Sequence, residues 1–213
     1  MRDIPVFSTE FGVASLVLRE IPYRQEAYIR IQDTAYPAEF VEECASFCRM
    51  AGAEKIYATG HCFLDRYPLH TAIWRMTCSM DSLPETDAMT MPVTEQTLEH
   101  WRRIYNEAMA EVPNASYMDQ NDAQQMLCRG DGYFVHRDGT LLGIGIAAGN
   151  TVQAIVSAKR GAGQDVLLAL THALSEEQLK LEVASANTRA IRLYERLGFI
   201  KTAELSRWFI VTK

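Results

Sequence analysis

Residues 151–165 read TVQAIVSAKRGAGQD, an apolar strand that ends in a glycine-containing turn, and an apolar helix follows from Val166. Gly161 and Gly163 allow backbone N–H groups to approach a ligand closely, because glycine has no Cβ. The helix after the turn presents the positive end of its dipole at the same place. The stretch therefore predicts an anion site, most often for phosphate, although a plain connection between strand and helix would read the same way.

A second strand, at residues 179–183, leads into ANTRAIRLYERLGF at residues 186–199. This run resembles the signature of the GNAT superfamily of acyl-CoA-dependent N-acyltransferases: an Asn, a helix with Ala and Leu-Tyr-Glu, and then Leu-Gly-Phe. The family also carries Arg/Gln-x-x-Gly-x-Gly/Ala upstream. Arg160 and Gly163 match its first two fixed positions, whereas Asp165 departs from the small residue at the third. The resemblance covers roughly residues 91–213.

Hydrophobic periodicity along the chain predicts the remaining elements. Strands are predicted at residues 6–8, 13–21, 27–33, 55–60, 70–80, 132–137, 141–148, 201–204 and 208–212. Helices are predicted at residues 37–50, 98–109, 119–128 and 188–197, besides the one that starts near Val166. The polar segment at residues 80–91 reads as a linker.

The resemblance implies an α/β fold, the GNAT acyl-CoA N-acyltransferase fold with a mixed sheet flanked by helices, and a GNAT acetyltransferase domain at residues 91–213. Residues 1–80 repeat the order three strands, helix, two strands, although the residue letters differ. We therefore interpret residues 1–85 as a degenerate, truncated GNAT-like N-terminal domain. It lacks the glycine turn and the Asn–Tyr helix, so we expect it to serve as a structural cap or to build the acceptor pocket.

The resemblance also implies an activity, which is acetyl transfer from acetyl-CoA to the primary amine of a small molecule or peptide by direct attack in a ternary complex. In the family two central parallel strands splay apart, here residues 151–157 and 179–184, and backbone N–H near Ile155 and Val156 polarises the thioester carbonyl. Backbone N–H groups of the turn then hold the pyrophosphate, and these belong to Arg160, Gly161, Ala162, Gly163, Gln164 and Asp165.

Two residues near the second helix receive roles from the resemblance. Asn187 is a good N-cap by residue type, and the family Asn also hydrogen-bonds the cofactor arm; one amide can do both. Tyr194 is the residue whose hydroxyl would protonate the departing coenzyme A sulfur. A half-buried tyrosine that only packs is the alternative for Tyr194.

The general base stays unassigned at the level of sequence. Family members often place a Glu on the strand before the turn, whereas this chain has Gln153. The candidates that remain, besides a water chain to solvent, are His136, Glu182, Tyr117 and Asp119. Because Gln153 and Asp165 both depart from the family pattern, a non-catalytic acyl-CoA-binding or regulatory module is the alternative function.

Composition disfavours several other classes of protein. The net charge of −6 predicts no basic face for a nucleic acid, and no apolar run approaches the roughly 18 residues of a membrane span. The first residues have no apolar signal-peptide core, and five cysteines at irregular spacing favour reduced thiols over disulfides or a metal site. We therefore expect a cytoplasmic protein, and a homodimer stays open as its assembly.

A Rossmann site is disfavoured, because its glycine run should follow the first strand of a βαβ unit.

Overall fold

The computed structural model describes residues 5–211 of the 213-residue chain. The strands are β1 (Val6–Thr9), β2 (Gly12–Val17), β3 (Glu26–Thr34), β4 (Lys55–Thr59), β5 (Leu69–Ser79), β6 (Met89–Pro92), β7 (Gly132–Arg137), β8 (Thr140–Ala148), β9 (Thr151–Ser157), β10 (Gln178–Ala184) and β11 (Ile200–Ile210). The helices are α1 (Ile21–Arg24), α2 (Pro37–Met50), α3 (Leu98–Met109), α4 (Gln120–Arg129), α5 (Gly163–Thr171) and α6 (Thr188–Arg196). No helix within residues 5–211 has the length and apolarity to cross a membrane.

The chain forms two compact units, divided between Ile73 and Trp74 and again between Ala203 and Glu204. In the first unit the strands lie in the order β1-β2-β3-β4, and the C-terminal part of β11 runs antiparallel to β4. Strands β1, β2 and β3 are antiparallel neighbours, whereas β3 and β4 are parallel and are connected through α2.

Helix α2 carries the apolar residues that form the core of the first unit. Its residues Phe40, Cys44 and Cys48 are fully buried and belong to one cluster with Ile29 of β3. Burial raises the pKa of the Cys44 thiol to about 12 and that of Cys48 to about 11. Both thiols are therefore protonated core groups at neutral pH rather than reactive cysteines.

In the second unit the strands lie in the order β5-β10-β9-β8-β7-β6. Strands β6 to β9 are antiparallel neighbours, whereas β10 runs parallel to β9. Helices α5 and α6 share one core cluster with Val152 and Leu181, and α3 and α4 share a second one with Ile144. In the second cluster Trp101 of α3 is fully buried, and its Nε1 donates to the backbone oxygen of Tyr133 at 2.9 Å. This cluster holds α3 beside the strands that carry the candidate site.

The same pairing pattern occurs once in each unit. β1-β2-β3-α2-β4 and β7-β8-β9-α5-β10 each contain two antiparallel pairs followed, after a helix, by a parallel pair. The shared pattern supports the interpretation of residues 1–85 as a degenerate copy, and that interpretation stays a prediction.

The structure differs from the sequence prediction in three regions of the chain. The strand predicted at residues 13–21 ends at Val17, and Ile21–Arg24 form a helical turn because Pro22 is compatible with a first turn. The segment at 80–91 contains β6, which pairs with β7 although it has only four residues. The strands predicted at 201–204 and 208–212 are one strand, β11, since no Gly or Pro interrupts them. Thr212 and the start of the chain used for the signal-peptide expectation (residues 1–4) lie outside the described residues.

Gly143→Ala is expected to destabilise the protein by about 2–3 kcal/mol, because overpacking a tight site costs roughly that amount. A Cβ at Gly143 of β8 would overlap the backbone oxygen of Val156 and would lie 2.7 Å from Cγ2 of Val166 on α5. The backbone oxygen cannot move without distorting the β8–β9 pairing. Urea denaturation measures the change in the free energy of unfolding.

The control is Gly139→Ala in the turn between β7 and β8. A Cβ there meets nothing within 4 Å, and the φ of +73° leaves only the strain of a left-handed residue, about 1 kcal/mol. Equal losses of stability in the two variants would contradict the packing argument for Gly143.

Candidate active site

Strands β9 and β10 pair only where they begin. Thr151 lies opposite Lys180 and Val152 opposite Leu181, and within these two described strands no further pair is in register. β9 nevertheless continues to Ser157 and β10 continues to Ala184. The two parallel strands therefore splay apart toward their carboxyl ends, which confirms the predicted gap.

A cleft of about 890 Å³ opens in the second unit beside this gap. Its walls are the end of β9, the turn before α5, the helix α6 and the last turn of α3 with Val112 after it. Eight of the ten predicted site residues line it, namely Ile155, Val156, Arg160, Gly161, Gly163, Gln164, Asn187 and Tyr194. Ala162 and Asp165 are not among the lining residues.

The backbone of β9 presents hydrogen-bond donors to the gap. Ala158 donates its N–H to the oxygen of Leu142 on β8 at 2.9 Å. Alternate N–H groups of a strand point to opposite neighbours, so the N–H of Val156 is directed at β8, whereas those of Ile155 and Ser157 are directed at the gap. Of the predicted pair, Ile155 is the one with an available donor. Ser157 supplies a second donor that the sequence reasoning missed.

The turn before α5 is shaped by Gly161, whose φ of +88° is a conformation that side chains with a Cβ rarely adopt. The N–H of Ala162 donates to the oxygen of Lys159 at 3.2 Å, so it is used within the turn. Because this donor is already engaged, we leave Ala162 out of the proposed phosphate site, although the sequence analysis included it. The first helical bond runs from the N–H of Val166 to the oxygen of Ala162 at 2.9 Å. Helix α5 therefore supplies no partner for the three N–H groups of its first turn, and these donors point the same way as the positive end of the helix dipole.

The side chain of Asp165 is held away from the cleft. Its Oδ1 accepts a hydrogen bond from Nη2 of Arg137 at 2.8 Å, and Oγ1 of Thr86 lies 3.4 Å away. Asp165 therefore stays a predicted site residue through its backbone alone, while its carboxylate is engaged by Arg137 of β7. Its backbone N–H remains one of the three donors in the first turn of α5.

All of the charged side chains among the described residues that line the cleft are basic. Five of them line it, namely Lys159, Arg160, Arg189, Arg192 and Arg196, and no Asp, Glu or His is among the lining residues that the structure describes. Such a lining concentrates positive potential in a concave surface and attracts anions. Of these five basic residues, the sequence analysis assigned a role to Arg160 alone. The arginines of α6 lie three and four residues apart on one helix face, and this spacing is the signal that could have found them.

Asn187 caps helix α6 as predicted. Its side-chain Oδ1 accepts a hydrogen bond from the N–H of Ala190 at 3.2 Å. The cap uses the acceptor end of the amide and leaves the Nδ2 donors for another partner. Because Asn187 also lines the cleft, a ligand there can meet this amide without breaking the cap.

Tyr194 lies deeper in the cleft wall and is only 8% exposed. Its ring packs on Phe199 with a centroid distance of 5.9 Å. Burial raises the pKa of Tyr194 to about 12, so the phenol is protonated at neutral pH. A pKa so far above the ~8.5 of a thiol favours a hydrogen bond from the phenol to a thiolate over complete proton transfer.

None of the candidates for the general base is among the described residues that line the cleft. Glu182 pairs with Arg75 at 3.3 Å, and Asp119 caps α4 by accepting from the N–H of Asp122 at 2.8 Å. The hydroxyl of Tyr117 lies 3.4 Å from Nη1 of Arg102, whereas His136 is opposite Leu141 in the β7–β8 pair. Gln153 is exposed on β9 and is not a lining residue either. The general base therefore stays unassigned.

Comparison with known proteins shows a family match over part of the chain and a shared fold. Residues 146–209 match the family described as FR47-like protein. A functionally unknown conserved protein from Staphylococcus epidermidis superposes with a TM-score of 0.60 at 11% identity, over 98% of this chain and 93% of that one. A GCN5-related N-acetyltransferase from Kribbella flavida superposes with a TM-score of 0.54 at 14% identity, over 98% and 90%.

A third solved structure gives the same result. A putative acetyltransferase from Pyrococcus horikoshii superposes with a TM-score of 0.60 at 11% identity, over 93% of this chain and 68% of that one. No curated protein sequence matches the chain significantly. Identities this low show the fold alone, and the family match covers the part of the chain that runs from β8 to β11. The chain therefore has the GNAT N-acetyltransferase fold, and its residues 146–209 match the family described as FR47-like protein.

Proposed function

We propose that this protein is an N-acetyltransferase that binds acetyl-CoA in the cleft and transfers the acetyl group to the primary amine of a small molecule or peptide. The observation that carries the proposal is the gap between β9 and β10, which opens beside a helix N-terminus and five basic side chains. Coenzyme A has a polyphosphate end, a peptide-like arm and a thiol. Each of these three parts has a chemically matched region in the cleft.

The phosphates match the turn and the basic side chains. The N–H groups in the first turn of α5 and the positive dipole end favour a diphosphate. Arg160 precedes this turn, and the α6 arginines face the same cleft, so the charge of the phosphates is balanced from two sides. Charge-assisted hydrogen bonds of this kind contribute about 1.5–3 kcal/mol each.

The peptide-like arm matches the free edge of β9. A ligand with amide groups can add to an exposed strand edge through backbone hydrogen bonds. The N–H groups of Ile155 and Ser157 face the gap where β10 no longer pairs, and the Nδ2 donors of Asn187 lie on the other side of the cleft. We infer that the arm lies along β9 between these groups.

Acetyl-CoA supplies an activated thioester, whose carbonyl carbon an amine attacks as the C–S bond breaks. In this proposal the N–H of Ile155 polarises that carbonyl. A preorganised donor of this type stabilises the transition state most strongly, because negative charge develops on the oxygen there. Tyr194 holds its phenolic proton and donates it in a hydrogen bond toward the leaving sulfur. The amine proton leaves through water, since the described lining offers neither a carboxylate nor an imidazole.

Calorimetric titration with coenzyme A and acetyl-CoA tests the binding step. Release of free thiol is then followed with acetyl-CoA and a panel of polyamines, aminoglycosides, amino acids and peptides. We expect saturable binding of one molecule per chain and thiol release that depends on one acceptor class. Absence of both binding and release would overturn the proposal.

A non-catalytic acyl-CoA-binding or regulatory module is the second candidate. The observation that favours it is the absence of a carboxylate or imidazole among the described lining residues, together with Gln153 at the position where the family often has Glu. This candidate predicts binding of acetyl-CoA with no thiol release for any acceptor.

A further inference from the structure

Arg137 of β7 makes two ion pairs at the start of helix α5. Its Nη2 donates to Oδ1 of Asp165 at 2.8 Å, and its Nε lies 2.6 Å from Oδ1 of Asp87. The side chains of Arg137 and Asp165 are 33% and 30% exposed, whereas that of Asp87 is 75% exposed. The Arg137–Asp165 pair is therefore the more protected of the two contacts, because solvent screens the outer one more strongly.

A carboxylate at this position has two opposite effects. In the first turn of a helix it is favoured by the dipole, and it can accept hydrogen bonds from the free N–H groups there. The same N–H groups are the ones offered to a phosphate, and two negative charges near each other repel. A free Asp165 carboxylate would therefore compete with an anionic ligand for the helix N-terminus and would repel it.

We propose that Arg137 is a positioning residue for the anion site: it binds the Asp165 carboxylate on the side of α5 away from the cleft and so leaves the N–H groups of the first turn to a phosphate. This inference rests on the proposed function, because it assigns Arg137 a role in coenzyme A affinity. Arginine suits the role because it is charged at every physiological pH and can engage two carboxylates through different nitrogens.

A purely structural role is the competing explanation. The pair could serve only to attach α5 to β7, in which case loss of Arg137 would loosen the helix whatever residue stands at 165. The two explanations differ in what happens when the negative charge of Asp165 is removed as well. A double-mutant cycle separates them, since the pairwise term is isolated when both single changes and the combined change are measured.

Arg137→Gln is expected to weaken coenzyme A binding about tenfold, which corresponds to about 1.4 kcal/mol. Asp165→Asn is expected to keep the affinity within about threefold of that of the unchanged protein, or about 0.6 kcal/mol. The combined Arg137→Gln and Asp165→Asn variant is expected to recover affinity to within about threefold, because no carboxylate remains to be held away. Calorimetric titration measures all four proteins. A tenfold loss that persists in the combined variant would overturn the positioning role.

The probes and the control make the outcomes distinguishable. Inorganic pyrophosphate is expected to follow the same cycle as coenzyme A, whereas pantetheine, which has no phosphate, is expected to bind all four proteins equally. Arg129→Gln removes a comparable pair with Asp131, at 2.6 Å, and is expected to leave all affinities unchanged. A protein that binds pyrophosphate with this cycle but does not bind coenzyme A overturns the proposed function alone. A protein that binds neither overturns both.

Discussion

Gly163→Val is expected to weaken coenzyme A binding about 100-fold, since two charge-assisted hydrogen bonds of about 1.5 kcal/mol each are lost with the phosphate site. Gly163 is the first residue of α5 and lines the cleft. A Cβ there would lie 3.1 Å from Oγ of Ser157 and 3.2 Å from Cδ2 of Leu193. The branches of valine extend beyond that shell into the space that the phosphate would use. Calorimetric titration measures the loss.

Gly163→Ala is the matched control for this prediction. Its single Cβ meets only the ends of two side chains, which can shift by a few tenths of an ångström, so we expect affinity within about threefold of the unchanged protein. Thermal unfolding of both variants shows whether the helix still forms. Unchanged coenzyme A affinity in a folded Gly163→Val protein would contradict the placement of the phosphates at α5.

Tyr194→Phe is expected to lower kcat about 100-fold and to leave the Kd of acetyl-CoA unchanged, a loss at the lower end of what one hydrogen-bond donor to a developing negative charge contributes. The phenylalanine ring retains the packing on Phe199, so only the hydroxyl is lost. Steady-state rates of thiol release and calorimetric affinities for the two proteins provide the comparison. An unchanged kcat would leave Tyr194 as a packing residue.

The raised pKa of Tyr194 determines how kcat should depend on pH in these two proteins. Burial raises the pKa of Tyr194 to about 12, so the phenol keeps its proton at every pH below that value. Ionisation of Tyr194 therefore removes no activity between pH 7 and about 10, two units below that pKa. The pH profiles of kcat for the unchanged protein and for Tyr194→Phe should have the same shape and differ only in height. An alkaline decline that disappears with Tyr194→Phe would contradict the raised pKa.

Local signals predicted the elements that build the cleft. Strand β9 begins and ends with the apolar run from Thr151 to Ser157, because a turn residue precedes the run and a polar turn follows it. The cap at Asn187 was predictable because its hydrogen bond reaches only three residues along the chain. Such contacts depend on neighbouring residue types and hardly at all on the remainder of the fold.

Contacts between distant segments could not be predicted from the sequence. The partner of Asp165 is Arg137, 28 residues earlier, and nothing in the turn itself identifies Arg137 as the side chain that binds this carboxylate. The strand β6 has four residues and no strong pattern, so its existence depends on pairing with β7. The available donor at Ile155, rather than at Val156, follows from the register of β9 against β8. Register is a property of the assembled sheet.

The sequence by itself determined the glycine turn, the capped helix with Tyr194 and, through their resemblance to GNAT signatures, the fold. These features lie within about 50 consecutive residues, and backbone conformation and capping act over that range. Only the tertiary structure decided where β9 and β10 separate, which N–H groups face the gap and where the α6 arginines and Asp165 point. Those outcomes depend on the pairing and packing of elements far apart in the chain, whose energies no local pattern encodes.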